Sequence, residues 1–256
     1  MTADYGISAL QMTVDRTLRE TLTAAFSTQT TKKAKALLSL ATHIANNWKA
    51  VCVLHGGVDR DEMRDVIANP AAALVRCMYD ALLQAMYIAV EPAKSEERAS
   101  DYLAFGAVER HQFMERILKG TSALSRQLAG STKRASSEQA IRVEYGRIKD
   151  RFADHHGRVR HHWYPGNLRE LAKTVGKDEE YSWYVAYSNS SVHGGVHSVL
   201  RGPLVPSGDG SLFAAAAVAC QAAQLLVNEL PIQVSKECKA FMAEFSEEFC
   251  NRVPTR

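Results

Sequence analysis

This 256-residue chain is short of the local signatures that announce a reaction. It has no phosphate-cradling glycine loop, no H-E-x-x-H zinc helix, no G-x-S-x-G nucleophile turn and no C-x-x-C pair. Those absences remove P-loop nucleotidases, zincin proteases, α/β-hydrolases and zinc ribbons from consideration. The five cysteines (Cys52, Cys77, Cys220, Cys238 and Cys250) are odd in number and scattered, which excludes a disulfide framework. Most fall inside apolar helical patterns and read as small buried hydrophobes of a reducing compartment. The first twenty residues show no basic segment followed by an apolar one, so no signal peptide is expected. The longest uninterrupted apolar run, Leu212 to Cys220, is nine residues long. A membrane span needs about 20, so neither a membrane partner nor a membrane location is expected, and the cytoplasm is the default. Net charge is +3 and the pI about 8.6, too mild for a protein that coats nucleic acid.

Helical periodicity is what the chain has in abundance. No segment alternates with a period of two. Leu37, Leu40, Ile44, Trp48 and Val51 recur at three- and four-residue spacings and make one apolar stripe. Helices are expected over about 8–26, 30–54, 60–68, 69–90, 94–118, 167–176, 178–191, 211–229 and 231–250, with shorter helical pieces between 121 and 153. Asn69-Pro70 is expected to start one helix and Glu91-Pro92 to stop it, because proline disfavours the α conformation of the residue before it. Residues 154–166 carry no period and form the main loop. The expectation is a single all-α domain over 1–256, a bundle of about eight to ten helices with a His-rich basic loop, and a core region at about 70–200.

Three polar features stand out. Arg76, Asp80 and Gln84 lie four residues apart on an otherwise apolar helix, so they share one face. That edge is either a solvent-facing structural ion pair or the wall of a cleft, where Arg76 offers a planar donor fork to a phosphate. Residues 147–169 hold six Lys/Arg and four histidines, followed by Trp163 and Tyr164. This is either a solvated basic loop or a nucleic-acid surface using Arg151, His156, Arg158, Arg160 and Trp163, with basic groups on the backbone and an aromatic for a base. Finally, Tyr181, Tyr184 and either Tyr187 or Ser188 share a face of the next helix, with Ser191 a turn on and His193 at its end. His193 reads as a helix cap, as a general base beside hydroxyls, or as a metal ligand with His197. The two glycines between those histidines speak against the last, so no metal and no cofactor is expected.

Two resemblances follow from these residues. Arg151 and His156 fit the Arg-to-His spacing of HEPN ribonucleases, compact helical domains in which that pair promotes attack by the RNA 2′-hydroxyl without metal. More extensively, the chain resembles the bacterial domain-of-unknown-function family five-six-seven-seven. The matching residues are Arg76-x-x-x-Asp80 with Tyr87, Glu97-Arg98-Ala99-x-x-Tyr102, Trp163, Leu168 to Ala172 with Gly176, and Tyr181 to Tyr184 with Ser190, Ser191 and His193. The family pattern carries Glu where this chain has Asp80. The resemblance implies a helical bundle of bacterial origin and suggests that Arg76, Asp80, Tyr181, Ser190 and His193 converge. It supplies no reaction.

The functional expectation is a HEPN-like, metal-independent ribonuclease or related helical enzyme acting on RNA or nucleotides, in bacterial defence. His193, Arg76, Asp80, Ser190 and Tyr181 are its catalytic set. The alternative is a non-catalytic helical module that binds a ligand or a protein, with a second copy of the chain as another partner.

Overall fold

A computed structural model describes residues 6–56, 61–129, 134–192 and 208–252. These residues are helical almost throughout, and the all-α class is established. Among the described residues, extended pairing is confined to one antiparallel bridge between Ala153 and Val159. The chain divides into two compact units, residues 1–96 with 168–256, and residues 97–167.

The first unit contains α1 (Ile7–Phe26), α2 (Lys32–Gly56), α3 (Asp61–Ala89), α7 (Leu168–Thr174), α8 (Asp178–Val192), α9 (Gly208–Glu229) and α10 (Lys236–Arg252). Helix α9 is the hub: α1, α2, α3 and α10 all pack on it. Its alanine-rich stretch explains this, because Ala214 to Cys220 are all buried and their small side chains let neighbours approach from every side. By length and composition Asp209–Glu229 qualifies as a membrane-crossing helix, although its longest uninterrupted apolar run is short. Of its most apolar stretch, 67 % is buried within the protein, as in the core helix of a bundle. The expected stripe on α2 is buried as read, with Leu37, Ile44 and Trp48 fully enclosed. The Trp48 indole N–H is satisfied by Asp15 Oδ1 of α1 at 2.7 Å.

Helix α3 corrects the sequence reading. Instead of a short helix and a new start at Pro70, one helix runs through from Asp61 to Ala89 with Pro70 inside it. Proline there removes one backbone N–H from the ladder. The apolar face of α3 after it, with Ala72, Val75, Met78, Leu82, Leu83 and Ile88 buried, packs in the unit where α3 meets α2, α9 and α8, and that packing outweighs the local preference. The break expected at Glu91-Pro92 does occur, as a 3₁₀ turn over Pro92–Lys94.

Helices α7 and α8 are joined tightly, and this joint aims the candidate site. Gly176 adopts φ 72°, a left-handed conformation that glycine takes without strain. Gly176 N–H then bonds Lys173 O at 3.1 Å and Lys177 N–H bonds Ala172 O at 2.7 Å, the paired closure of a Schellman motif. Lys177 and Asp178 are thereby set at the start of α8, which lies along α3.

The second unit comprises α4 (Ser95–Lys119) from Glu97 onward, α5 (Ala123–Ala129), α6 (Arg134–Ile148) and a 3₁₀ turn at Lys149–Phe152. Its core is aromatic: Phe105 meets Phe152 edge-on at 5.0 Å, and Tyr102 meets Trp163 edge-on at 5.7 Å. The expected loop at 154–166 contains a tight turn. Asp154 Oδ1 accepts the backbone N–H groups of His156 and Arg158, at 2.8 and 2.9 Å, and Gly157 at φ 72° closes it.

Candidate functional site

The polar stripe of α3 faces α8. Arg76 is the centre of the cluster. Its Nη2 donates to the Tyr181 hydroxyl at 3.2 Å, and its Cζ lies 4.8 Å from the centroid of the same ring, so Tyr181 offers both an acceptor and a π face. Its Nε lies 2.7 Å from Asp80 Oδ1, one helical turn away. That contact is a short ion pair in which the Nε–H supplies the buried Oδ1 with its donor. Arg76 Nη1 is buried and has no acceptor among the described residues. An orphaned buried donor of this kind costs free energy and calls for a reason.

The electrostatics agree with a partly dehydrated pair. Burial pushes the Asp80 carboxyl above the usual carboxylate range, against the pull of Arg76. Burial also disfavours the charged Arg76, but the Asp80 charge and the Tyr181 hydroxyl more than restore it, and the guanidinium stays protonated.

A second polar layer, which the sequence reading did not single out, flanks this one. Tyr79 is fully buried and stacks on Tyr184 with ring centroids 3.9 Å apart, yet its hydroxyl reaches the Glu180 carboxylate at 3.4 Å. Burial, followed by the Glu180 charge, raises the Tyr79 phenol far above its ordinary value. Glu180 is in turn paired with Lys177. The signal for Glu180 and Lys177 was weak: acidic residues in a first helical turn are favoured by the helix dipole alone, so they carry no mark of a site. Counting both layers, Arg76 and Lys177 match Asp80 and Glu180, so the seam is formally neutral.

Of the expected catalytic set, Arg76, Asp80 and Tyr181 are brought together. Ser190 falls on the final turns of α8, its side chain outside the described residues, and His193 and His197 lie outside them altogether. Tyr184 and Ser188 are buried, the latter donating to Tyr184 O at 2.8 Å.

The expected nucleic-acid residues all belong to the second unit, in different roles. Trp163 is a correction: it is only 5 % exposed and packs between Tyr102 and Tyr164, so it presents no open face to a base. Arg151 is paired with Asp101. Arg160 lies near the Phe152 ring, with Nε buried and without an acceptor among the described residues. His156 and Arg158 are exposed, and His156 lies against His155 with ring centroids 3.8 Å apart. Among the described residues, no three His, Cys, Asp or Glu side chains are grouped to hold a metal ion.

The cysteines are free where described. Cys220 and Cys238 are buried as expected, whereas Cys77 is exposed beside Arg76. Burial pushes the thiols of Cys52 and Cys220 up to about 12, so neither is a nucleophile at neutral pH.

Residues 34–208 match a family described as Family of unknown function (DUF5677), and the chain belongs to it. The match starts earlier than the 70–200 expected and takes in α2. No curated protein and no solved structure matches the chain. The residues that carried the family resemblance sort into two clusters. Arg76, Asp80, Leu171, Ala172, Tyr181 and Tyr184 gather where α3, α7 and α8 meet. Ala99, Tyr102 and Trp163 build the interior of the second unit.

Proposed function

We propose that the chain is a metal-independent helical enzyme acting on RNA or nucleotides, in the cytoplasm of a bacterium and in a defence role. The Arg76–Asp80–Tyr181 cluster anchors the ligand. His193, the residue directly after α8, acts as general base in the manner of the HEPN ribonucleases. The observation that carries this reading is Arg76: a guanidinium held from two sides, with a buried N–H that has no acceptor among the described residues. The second unit, taken by itself, carries exposed His156 and Arg158, polar groups of the kind that contact a nucleic-acid backbone.

The test is cleavage of labelled tRNA and total RNA in chelator-containing buffer by the wild type, His193→Ala and Arg76→Ala. Cleavage by the wild type, lost in His193→Ala with the fold intact, is the expected result. Full activity in His193→Ala overturns its role.

Two observations favour a second reading, a non-catalytic binding module: among the described residues the paired charges of the α3–α8 seam cancel, and Trp163 is enclosed. Binding of RNA or nucleotide without turnover, unchanged in His193→Ala, would establish it.

A further inference from the structure

The tight turn of the second unit holds three ionisable side chains that the Arg76 cluster does not use. Asp154 Oδ1 accepts the backbone N–H groups of His156 and Arg158, so that oxygen is spent inside the turn. The Asp154 N–H bonds Arg158 O at 2.7 Å, and the Arg160 N–H bonds Phe152 O at 2.9 Å. Those two bonds make a small hairpin and tie it to the fully buried Phe152. At its tip His155, His156 and Arg158 are all exposed. The two imidazoles lie in ring contact, with centroids 3.8 Å apart. A tip fixed in this way can meet a ligand with little further ordering of its backbone.

Histidine gains its charge between roughly pH 5 and 8. Two imidazolium rings in contact repel each other, and an anion beside both offsets the repulsion. Anion binding therefore favours the doubly protonated tip. By linkage, affinity rises as pH falls through the histidine range, and protons are taken up on binding. The neighbouring groups leave this sign unchanged. Arg151 is paired with Asp101, and Arg160 lies near the Phe152 ring. His162 stacks on Tyr164. Loss of water around its ring, followed by His161, holds His162 below its ordinary value, against the pull of Glu109 on α4.

A phosphodiester backbone suits this tip better than a base or a lipid surface. Trp163 and Tyr164 are enclosed, and no Phe, Tyr or Trp lies from Asp154 to Arg158 for a base to stack on. The same five residues carry no apolar side chain of the kind that anchors a protein in a bilayer interface.

Resting on the reading that RNA is the ligand, we propose that His155, His156 and Arg158 form a sequence-independent clamp on its phosphodiester backbone. The clamp completes its positive charge by taking up protons as RNA binds.

The measurement is fluorescence anisotropy of labelled oligouridylate and oligoadenylate with the full chain, at about pH 8 and about pH 6 over a range of salt. Affinity for both sequences is expected to rise about tenfold at the lower pH. Two added contacts should steepen the salt dependence by about 1.4 in log–log slope, at about 0.7 for each phosphate of a single strand. His155→Gln with His156→Gln changes two exposed side chains and should remove most of the rise. Arg158→Ala should weaken binding at both pH values. Calorimetry in two buffers of different ionisation enthalpy reads the proton uptake directly. The inference falls, while the RNA reading stands, if wild-type affinity is the same at both pH values. It falls equally if the double variant keeps the full rise or if one sequence is strongly preferred. Tighter binding to phosphatidylserine vesicles than to either oligonucleotide would assign the tip to a lipid surface and overturn it too. If neither oligonucleotide binds at either pH, the RNA reading falls with it.

Discussion

The Tyr181 hydroxyl accepts a hydrogen bond from Arg76 at 3.2 Å, although the two residues are 105 positions apart in the chain. Tyr181→Phe keeps the ring under the guanidinium and removes only the acceptor. A hydrogen bond to a charged group contributes about 1.5–3 kcal/mol. Partial exposure of the pair places the expected loss near the lower end. Denaturant unfolding of wild type and Tyr181→Phe measures it; no loss would mean that the π contact and Asp80 hold Arg76 without the Tyr181 hydroxyl.

Replacing Asp80 by Ala leaves Arg76 half-dehydrated and without its carboxylate. Breaking a buried ion pair from one side costs ~3–5 kcal/mol, and the residual exposure of this pair lowers the expectation to roughly 2–3 kcal/mol. Replacing both residues together, Arg76→Met with Asp80→Leu, should recover most of that loss. A double-mutant cycle in thermal unfolding reads the coupling. Additive losses would show that the two side chains do not act as a pair.

Glu20 of α1 caps α10. Its carboxylate accepts from the Ser235 backbone N–H, from the Ser235 hydroxyl at 3.1 Å and from the Cys238 thiol at 2.9 Å. Those donors, Cys238 first and then the Ser235 backbone, hold the carboxyl below its ordinary value. A carboxyl depressed in the folded state adds stability that is fully present above its unfolded pKa. That stability is lost as pH falls through the folded one. The docking of α10 should therefore weaken on acidification below the ordinary carboxylate range. Glu20→Gln should flatten the pH dependence of stability in that window. Asp80 has the opposite sign, because its raised value makes the folded state the tighter proton binder. Unfolding midpoints measured from neutral to acid pH for Glu20→Gln and Asp80→Asn should bend in opposite directions relative to wild type.

Trp163→Ala tests the second unit. An enclosed tryptophan costs about 3–5 kcal/mol when truncated, so the variant should lose stability first, with any loss of RNA binding following from that. Arg158→Ala removes an exposed charge, so its stability should match wild type within about 0.5 kcal/mol. If RNA binds, its affinity should fall in Arg158→Ala and its salt dependence become shallower. A Trp163→Ala protein that melts like wild type would contradict the packing between Tyr102 and Tyr164.

What could be read from the sequence followed from how local each signal was. The α2 stripe repeats every three or four residues, and no rival pattern competes with it, so burial of Leu37, Ile44 and Trp48 was legible. The alignment of Arg76 with Asp80 is a property of one helix and was equally plain. Pro70 misled because its effect on the backbone is local, whereas the packing that carries α3 through it comes from α2, α8 and α9. Glu180 was hidden for a similar reason: its meaning lies in Tyr79, on a different helix. Trp163 beside basic residues matches the composition of a nucleic-acid surface, and composition cannot say which way an indole points. The family resemblance linked Arg76 to Tyr181, a pairing that no periodicity in either helix reveals.

The position of α9 in the chain sets a condition on how the protein is made. Helices α1, α2 and α3 emerge from the ribosome long before the helix on which all three pack. Synthesis from Ala89 to Glu229 takes roughly 7–30 s at ~5–20 residues per second. Over that interval the nascent chain presents apolar surface meant for a helix not yet translated. Chaperone engagement of early intermediates should therefore end only once the alanine-rich stretch clears the exit tunnel. Truncation before residue 208 should then leave an aggregation-prone species.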